Sequence, residues 1–159
     1  MIQCTQCGLE YPQNGMPYLC PDCGGVFDYS SVPNFNRNLI DPDAQGIWRY
    51  RHTFEVPDTL EAVTMGEGNT PLVADQTMGL DIAYKMEGLN PTGSYKDRVM
   101  SVIMSQVVSR GITSAVEDSS GNAGSAFAAY AAKAGVNGSM KPSVGPSTSS
   151  STRARTSIP

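Results

Sequence analysis

The sequence predicts an α/β fold: a short cysteine-rich unit, a connecting arm, and then part of an open layer of parallel strands and helices. Three observations predict it. Four cysteines fall as two Cys-x2-Cys pairs within the first 23 residues. An alternating run over residues 82–87 puts Ile82, Tyr84 and Met86 on one face of a strand, then enters a proline- and glycine-containing turn and a stretch of helical spacing. A second apolar strand, residues 112–116, passes through a loop of small residues into an alanine-rich helix closed by Gly135.

The cysteine unit comes first. Its pairs are Cys4-x2-Cys7 and Cys20-x2-Cys23, twelve residues apart, with Gly8 after the first and Gly24-Gly25 after the second. Turn glycines let backbone amides approach thiolate sulfurs, and four thiolates in two short loops satisfy a closed tetrahedral site. The spacing points to a structural zinc ion held by Cys4, Cys7, Cys20 and Cys23 in a ribbon over residues 1–30. Two disulfides are the competing reading, which a reducing compartment disfavours. A catalytic redox pair is weaker still, because no βαβ pattern surrounds the cysteines. Residues 1–30 contain no Lys or Arg, while Glu10, Asp22 and Asp28 are acidic, so nucleic-acid phosphates would find no partner. The ribbon reads as a packing or oligomer-contact module.

Composition narrows the rest. A chain of 159 residues with 40% hydrophobic content can bury one modest core and a small satellite. Its net charge of −4 argues against a polyanionic partner. The N-terminus lacks a basic stretch followed by an apolar one, and the longest apolar run, residues 126–132, is too short for a bilayer. These features predict a cytoplasmic protein with no membrane partner. Residues 31–66 read as an arm, punctuated by Val32-Pro33, Asp41-Pro42-Asp43 and Val56-Pro57-Asp58. Within it Trp48, Tyr50 and Phe54 alternate with polar residues, as a short strand or an arm against the main domain would. His52, the single histidine, is assigned no role. The segment Gly66-Glu67-Gly68-Asn69-Thr70-Pro71-Leu72 is a glycine-rich turn entering a strand, with Pro71 where its missing donor is tolerated.

The central motif is Gly88-Leu89-Asn90-Pro91-Thr92-Gly93-Ser94-Tyr95-Lys96-Asp97-Arg98. Pro91 and Gly93 are its turn residues, and Ser94 is placed to cap a helix whose apolar positions are Val99, Val102, Ile103 and Val107. Lys96 falls in the first turn, where the macrodipole disfavours a cation by up to about 1 kcal/mol and so favours the nucleophilic free amine. A lone lysine after an N-cap is ordinarily just solvated. The whole motif, however, resembles the cofactor-lysine segment of pyridoxal-phosphate enzymes of the tryptophan-synthase-β fold type, threonine synthases above all. The Gly66–Leu72 segment, the cysteine ribbon and the arm are similar to parts of the same family. The resemblance implies that Lys96 forms a Schiff base with pyridoxal phosphate in a partial catalytic domain over residues 67–136. It also implies a small-molecule amino-acid substrate and a homodimeric full-length enzyme.

The second loop, Glu117-Asp118-Ser119-Ser120-Gly121-Asn122-Ala123-Gly124, opens the alanine-rich helix carrying Phe127, Tyr130, Ala131 and Ala134. Amides at a helix N-terminus bind anions, and small side chains let a planar ligand approach the backbone. A capped helix start would explain the same residues without a ligand. By resemblance, Asn122 contacts the cofactor, and Ser119, Ser120, Gly121, Asn122 and Ala123 cradle the substrate carboxylate. Since both motifs follow strands, Lys96 and Asn122 are expected at one end of one sheet.

The resemblance ends near residue 137. The family has a further strand there, whereas residues 137–159 are rich in Ser, Pro and Gly and read as a disordered tail. The family's phosphate loop and the hydroxyl facing the pyridine nitrogen are not found. The sequence therefore reads as an N-terminal fragment, expected not to make threonine alone. Two other readings stand beside threonine synthase. A serine/threonine ammonia-lyase would share the lysine and asparagine loop but usually lack the ribbon; a non-catalytic zinc-binding interaction module would need neither.

Overall fold

The computed structural model describes residues 2–54, 56–57, 59–119 and 121–141. In the ribbon, β1 (Ile2–Cys4) pairs antiparallel with β2 (Phe27–Tyr29), Cys4 lying opposite Phe27. Next, β3 (Leu72–Thr77) and β4 (Leu80–Lys85) form an antiparallel hairpin. A short 3-10 turn, Glu87–Leu89, leads to α1 (Lys96–Ser109). Then β5 (Ser114–Glu117), α2 (Asn122–Ala134) and β6 (Asn137–Met140) make a β-α-β unit whose strands run parallel, with Ser114 opposite Asn137. The fold is α/β, with its main core between α1 and α2: Met100, Met104 and Val107 pack with Ala126, Phe127, Tyr130, Ala131 and Val136.

Several sequence expectations change in detail. The strand before Lys96 pairs with β3 and not with β5, so Lys96 and Asn122 do not both follow strands of one sheet. The cause is local. Met78 and Gly79, at φ of 55° and 76°, form a two-residue turn of the kind that suits a hairpin, and pairing across it costs little loop entropy. Residues 137–140, expected to open a disordered tail, form β6; residues 142–159 lie outside the described residues. Parallel backbone bonds to β5 override the weak propensity of Asn-Gly-Ser-Met. Gly138 helps, because a Cβ there would sit 3.0 Å from the Phe127 ring.

Trp48 and Tyr50 lie not in a strand but in a 3-10 stretch, Gly46–Thr53, that buries Trp48 against Ile47 and Leu60. On α1 the inward face carries Asp97, Met100, Ser101, Met104, Ser105 and Val107, while Val99 and Ile103 are exposed. Ser101 and Ser105, one turn apart, take inward places because their hydroxyls engage one backbone unit. Ser101 Oγ donates to the Val63 carbonyl at 2.8 Å, and Ser105 Oγ accepts the Val63 amide at 2.8 Å. Val99, Val102 and Ile103 instead border an apolar hollow of about 790 Å³ with the ribbon and arm.

Glu67 is fully buried and ties the layers together. Its carboxylate accepts Trp48 Nε1 at 3.0 Å, Thr64 Oγ1 at 3.0 and 3.1 Å, the Met65 amide at 3.0 Å and Tyr130 Oη at 2.7 Å. Burial alone would raise its pKa. Hydrogen bonds from the donors around it, the Met65 amide and the Tyr130 hydroxyl among them, outweigh burial and hold it below the ordinary carboxylate value. Glu87 is the second tied acid: Arg98 grips it bidentately, Nε to Oε2 at 2.8 Å and Nη2 to Oε1 at 2.7 Å, and holds it near 2.

Removing the Glu67 carboxylate strands several buried donors. We expect Glu67→Ala to lower unfolding free energy by about 3 kcal/mol in urea titrations, and Tyr130→Phe by about 1.5 kcal/mol; losses under 0.5 kcal/mol would contradict the tie. Because Glu67 and Glu87 have depressed folded values, the stabilisation each gives is complete above the ordinary carboxylate value of 4.5 and is lost as pH falls below it, for Glu87 down through about 2. Acid melting of Glu87→Gln should be correspondingly flatter between those limits than that of the parent.

Candidate functional site

The cysteine centre is built from two turns. In each, the first cysteine's amide reaches five residues ahead, Cys4 to the Leu9 carbonyl and Cys20 to the Gly25 carbonyl, both at 2.7 Å. The glycine four residues on returns to the cysteine's own carbonyl, Gly8 to Cys4 at 3.0 Å and Gly24 to Cys20 at 2.9 Å. Both glycines have positive φ, 76° and 73°. The turns bring Cys4 Sγ to 3.5 Å from Cys23 Sγ and Cys7 Sγ to 3.6 Å from Cys20 Sγ. All four sulfurs lie within 4.8 Å of one another as free thiols. The Cys7 and Gln6 amides lower the Cys4 thiol to about 6, whereas at Cys23 the neighbouring thiols outweigh the Gly25 amide and push it up to about 12. Such crowding opposes full ionisation unless a cation sits among the sulfurs, so these residues can hold a metal ion.

Lys96 is the first residue of α1 and is half-buried. The helix begins two residues after Ser94, whose Oγ accepts the Lys96 amide at 3.3 Å; Tyr95 occupies the capping position, and its side chain makes no capping bond. Lys96 Nζ lies over the Tyr95 ring, 4.8 Å from its centroid. Among the described residues it has no hydrogen-bond or ion-pair partner. The neighbouring acid is occupied elsewhere: Asp97, fully buried, accepts the Thr92 amide at 2.8 Å and Thr92 Oγ1 at 2.6 Å. This closes the turn behind Lys96 and leaves its amine uncompensated.

The turn is braced from below. Gly93 donates to the Asn90 carbonyl at 2.9 Å, and Asn90 Oδ1 accepts the Gly68 amide at 2.9 Å. Asn90 Nδ2 donates to Glu87 at its backbone and side chain, 2.8 and 3.0 Å. Arg98 Nη2 donates to Thr70 Oγ1 at 3.0 Å, and that hydroxyl donates to Glu87 Oε1 at 2.8 Å. Asn90, Asp97, Arg98 and Glu87 are thus positioning residues to which sequence reading gave no separate role, and Thr70, in a segment read as structural, joins them. The available signal was an acid just before the turn and a base just after the lysine.

Asn122 is the first residue of α2 and is exposed, as is Gly121; Ala123 and Ser119 are half-buried. Ser119 Oγ accepts the Gly121 amide at 3.3 Å, and Ser120 lies outside the described residues. Gly124 lets this loop fold close, since a Cβ there would collide with the Ser119 carbonyl oxygen. Each candidate thus sits at a helix start, and α1 packs on α2. Among the described residues no hydrogen bond joins Lys96 to residues 119, 121, 122 or 123. The chemistry on offer is an unpaired amine on one helix start and a small-residue loop on another.

Comparison with known proteins agrees with this arrangement. Residues 63–151 match the family described as pyridoxal-phosphate dependent enzyme. A threonine synthase of Methanosarcina acetivorans is 35% identical over 144 residues, covering 85% of this chain and 35% of the relative. One from Methanocaldococcus jannaschii is 34% identical over 146 residues, covering 85% and 36%. One from Synechocystis is 41% identical over 127 residues, covering 68% and 33%. The chain spans about a third of the length of these curated relatives. No helix among the described residues is long and apolar enough to cross a membrane. With the match over residues 63–151 and Lys96 braced at its helix start, the chain belongs to the pyridoxal-phosphate dependent enzymes.

Proposed function

We propose that this chain carries the lysine end of a threonine synthase active site, in an enzyme that converts O-phosphohomoserine and water to threonine and phosphate. The observation that carries the reading is Lys96: an amine at the start of α1, without an acidic partner among the described residues, on a turn locked by Asp97 and the Glu87–Arg98 pair. Lys96 Nζ would hold the cofactor's aldehyde carbon and, once released, carry a proton between substrate carbons. Asn122 would orient the cofactor ring. The loop of Ser119, Ser120, Gly121, Asn122 and Ala123 would receive the substrate carboxylate through amides at the α2 start. Bound pyridoxal phosphate would supply the electron sink that carbanion chemistry requires. Threonine synthase is favoured over related activities because the matched relatives bear that name and because the cysteine ribbon precedes the lysine domain.

For the ribbon, zinc is the ion we propose. A tetrahedral site with metal–sulfur bonds of about 2.3 Å has sulfur–sulfur edges of about 3.8 Å. Two of the six separations, 3.5 and 3.6 Å, lie just under that edge, and all six are within 4.8 Å, so the sulfurs need shift by about 1 Å at most to accept it. Four thiolates close the first shell, so the ion would stabilise the fold and take no part in chemistry. Free thiols in such a site suit a reducing, cytoplasmic compartment.

Two measurements test these readings. On titration with pyridoxal phosphate followed by borohydride reduction and peptide mass mapping, the label should fall mainly on Lys96. Lys96→Ala should abolish that label, and Asn122→Ala should weaken cofactor affinity about 10-fold. Equal labelling of Lys85, Lys96, Lys133 and Lys141 would defeat the assignment. Metal analysis of the purified chain should find one zinc per molecule, reduced below half in both Cys4→Ser and Cys20→Ser; full retention in either variant would rule out the four-thiolate site.

A further inference from the structure

Between the two cysteine turns runs the loop that contains residues 12–17, and one side chain from the main domain reaches into it. Arg110, at the C-terminal cap of α1, points Nη1 at three successive stretches of that loop: the carbonyls of Pro12 at 2.6 Å, Gln13 at 3.1 Å and Gly15 at 3.0 Å. Its guanidinium also lies over the Tyr11 ring, 5.2 Å from the centroid, and Nε donates to Gln106 Oε1 at 3.4 Å one turn back on α1. Tyr11 is itself fixed within the ribbon. It packs edge-on to Phe27 of β2 at 4.7 Å, and its hydroxyl donates to the Pro17 carbonyl at 3.1 Å.

A basic residue at a helix C-terminus is ordinary, since it faces the negative end of the macrodipole. Its neighbours here are not. Carbonyls nearly a hundred residues away in sequence converge on one nitrogen, and convergence of that kind demands that the loop be held at both ends. The loop's ends are Cys7 and Cys20, whose sulfurs face each other at 3.6 Å. If those sulfurs are bound to a common ion, the loop has one shape and the three carbonyls point inward together. If they are not, the loop gains freedom and the carbonyls turn to water. The other end of the same helix carries Lys96, about 20 Å away along a rigid rod.

We propose that Arg110 is the positioning residue through which metal loading of the ribbon steadies α1, the helix that presents Lys96. The coupling runs through a continuous chain of named contacts: metal-bound Cys7 and Cys20, the loop between them, the Arg110 fork, and the last turn of α1. Linkage makes it reciprocal, so an intact clamp must also raise the ribbon's affinity for its ion. Arginine suits the place because Nη1 serves the loop carbonyls while Nε, on the same rigid plane, donates to Gln106 of α1, two directions that a single ammonium nitrogen does not hold fixed relative to each other. The inference rests on the reading of the four cysteines as a zinc site.

The test is hydrogen exchange of the full chain, with zinc bound and after chelation, resolved at the last turn of α1 and at the middle of α2. In the parent protein, chelation should accelerate exchange around Val107–Gly111 about 10-fold while Phe127–Ala131 in α2 changes little. In Arg110→Met, which keeps an unbranched stem but removes the guanidinium, exchange at that turn should already be fast and indifferent to chelation. Arg110→Lys should fall between. Zinc affinity, measured by competition with a chromogenic chelator, should drop several-fold in Arg110→Met. Failure to bind zinc at all would sink the metal reading. Zinc binding with no change at the α1 terminus on chelation would sink the coupling alone. So would an equal acceleration in α2, which means general unfolding, or an Arg110→Met variant that responds to chelation like the parent.

Discussion

The buried carboxylate of Glu67 is the interaction on which the rest of the architecture depends. A charge taken out of water is tolerable only where donors surround it, and here the donors come from three separate parts of the chain. Trp48 arrives from the 3-10 stretch of the arm, Thr64 and the Met65 amide from the arm's last residues before the hairpin, and Tyr130 from α2. The same Trp48 nitrogen also meets Ser101 on α1 at 2.9 Å. Satisfying one acid therefore fixes where both helices stand relative to the arm. Burial also raises the Tyr130 hydroxyl's pKa, so it stays a proton donor over the range in which proteins work.

From that hub the order spreads to the lysine turn. Ser101 and Ser105 bind the backbone at Val63, which sets the rotation of α1 about its axis and turns Asp97 inward. With Asp97 inward, its carboxylate is spent on Thr92, so the adjacent half-buried Lys96 has no acidic partner among the described residues. The Glu87–Arg98 pair, about a quarter exposed on each side, does the lesser task of holding the loop's other flank against Thr70. Stability and chemistry are here the same geometry seen from two ends of one helix turn.

Much of this was legible in the sequence because it is encoded locally. Cysteine spacing with turn glycines, the Pro91–Gly93 turn, and Gly135 with its left-handed φ of 69° all declare themselves within a few residues. What was hidden depends on distance. Val99 and Ile103 look like the core face of α1 by hydrophobicity, yet serines took that face because their hydroxyl partners lie about forty residues upstream. Strand β6 has no apolar alternation to betray it; its place is set by the edge of β5 and by room against Phe127. Trp48, read as part of a short strand or of an arm against the main domain, takes the second place, in a 3-10 stretch bonded to an acid 19 residues further along and to Ser101 of α1. The link from Glu67 to Tyr130 spans 63 residues, and no local pattern in a single sequence announces it.

The repeated hydrogen-bond path of the two cysteine turns carries a consequence of its own. Cys4-to-Leu9 with Gly8-to-Cys4 is matched step for step by Cys20-to-Gly25 with Gly24-to-Cys20. The ribbon is thus two turns of one geometry facing each other, Cys4 Sγ toward Cys23 and Cys7 Sγ toward Cys20. The residues between the ligands, Thr5 and Gln6 in one turn and Pro21 and Asp22 in the other, are exposed and so free to differ. That freedom stops at Gly25, where any side chain would press on Cys4 Sγ of the opposite turn at 2.8 Å. The two turns can differ on their outer faces, but at the seam where they touch a change in one must be met by a change in the other.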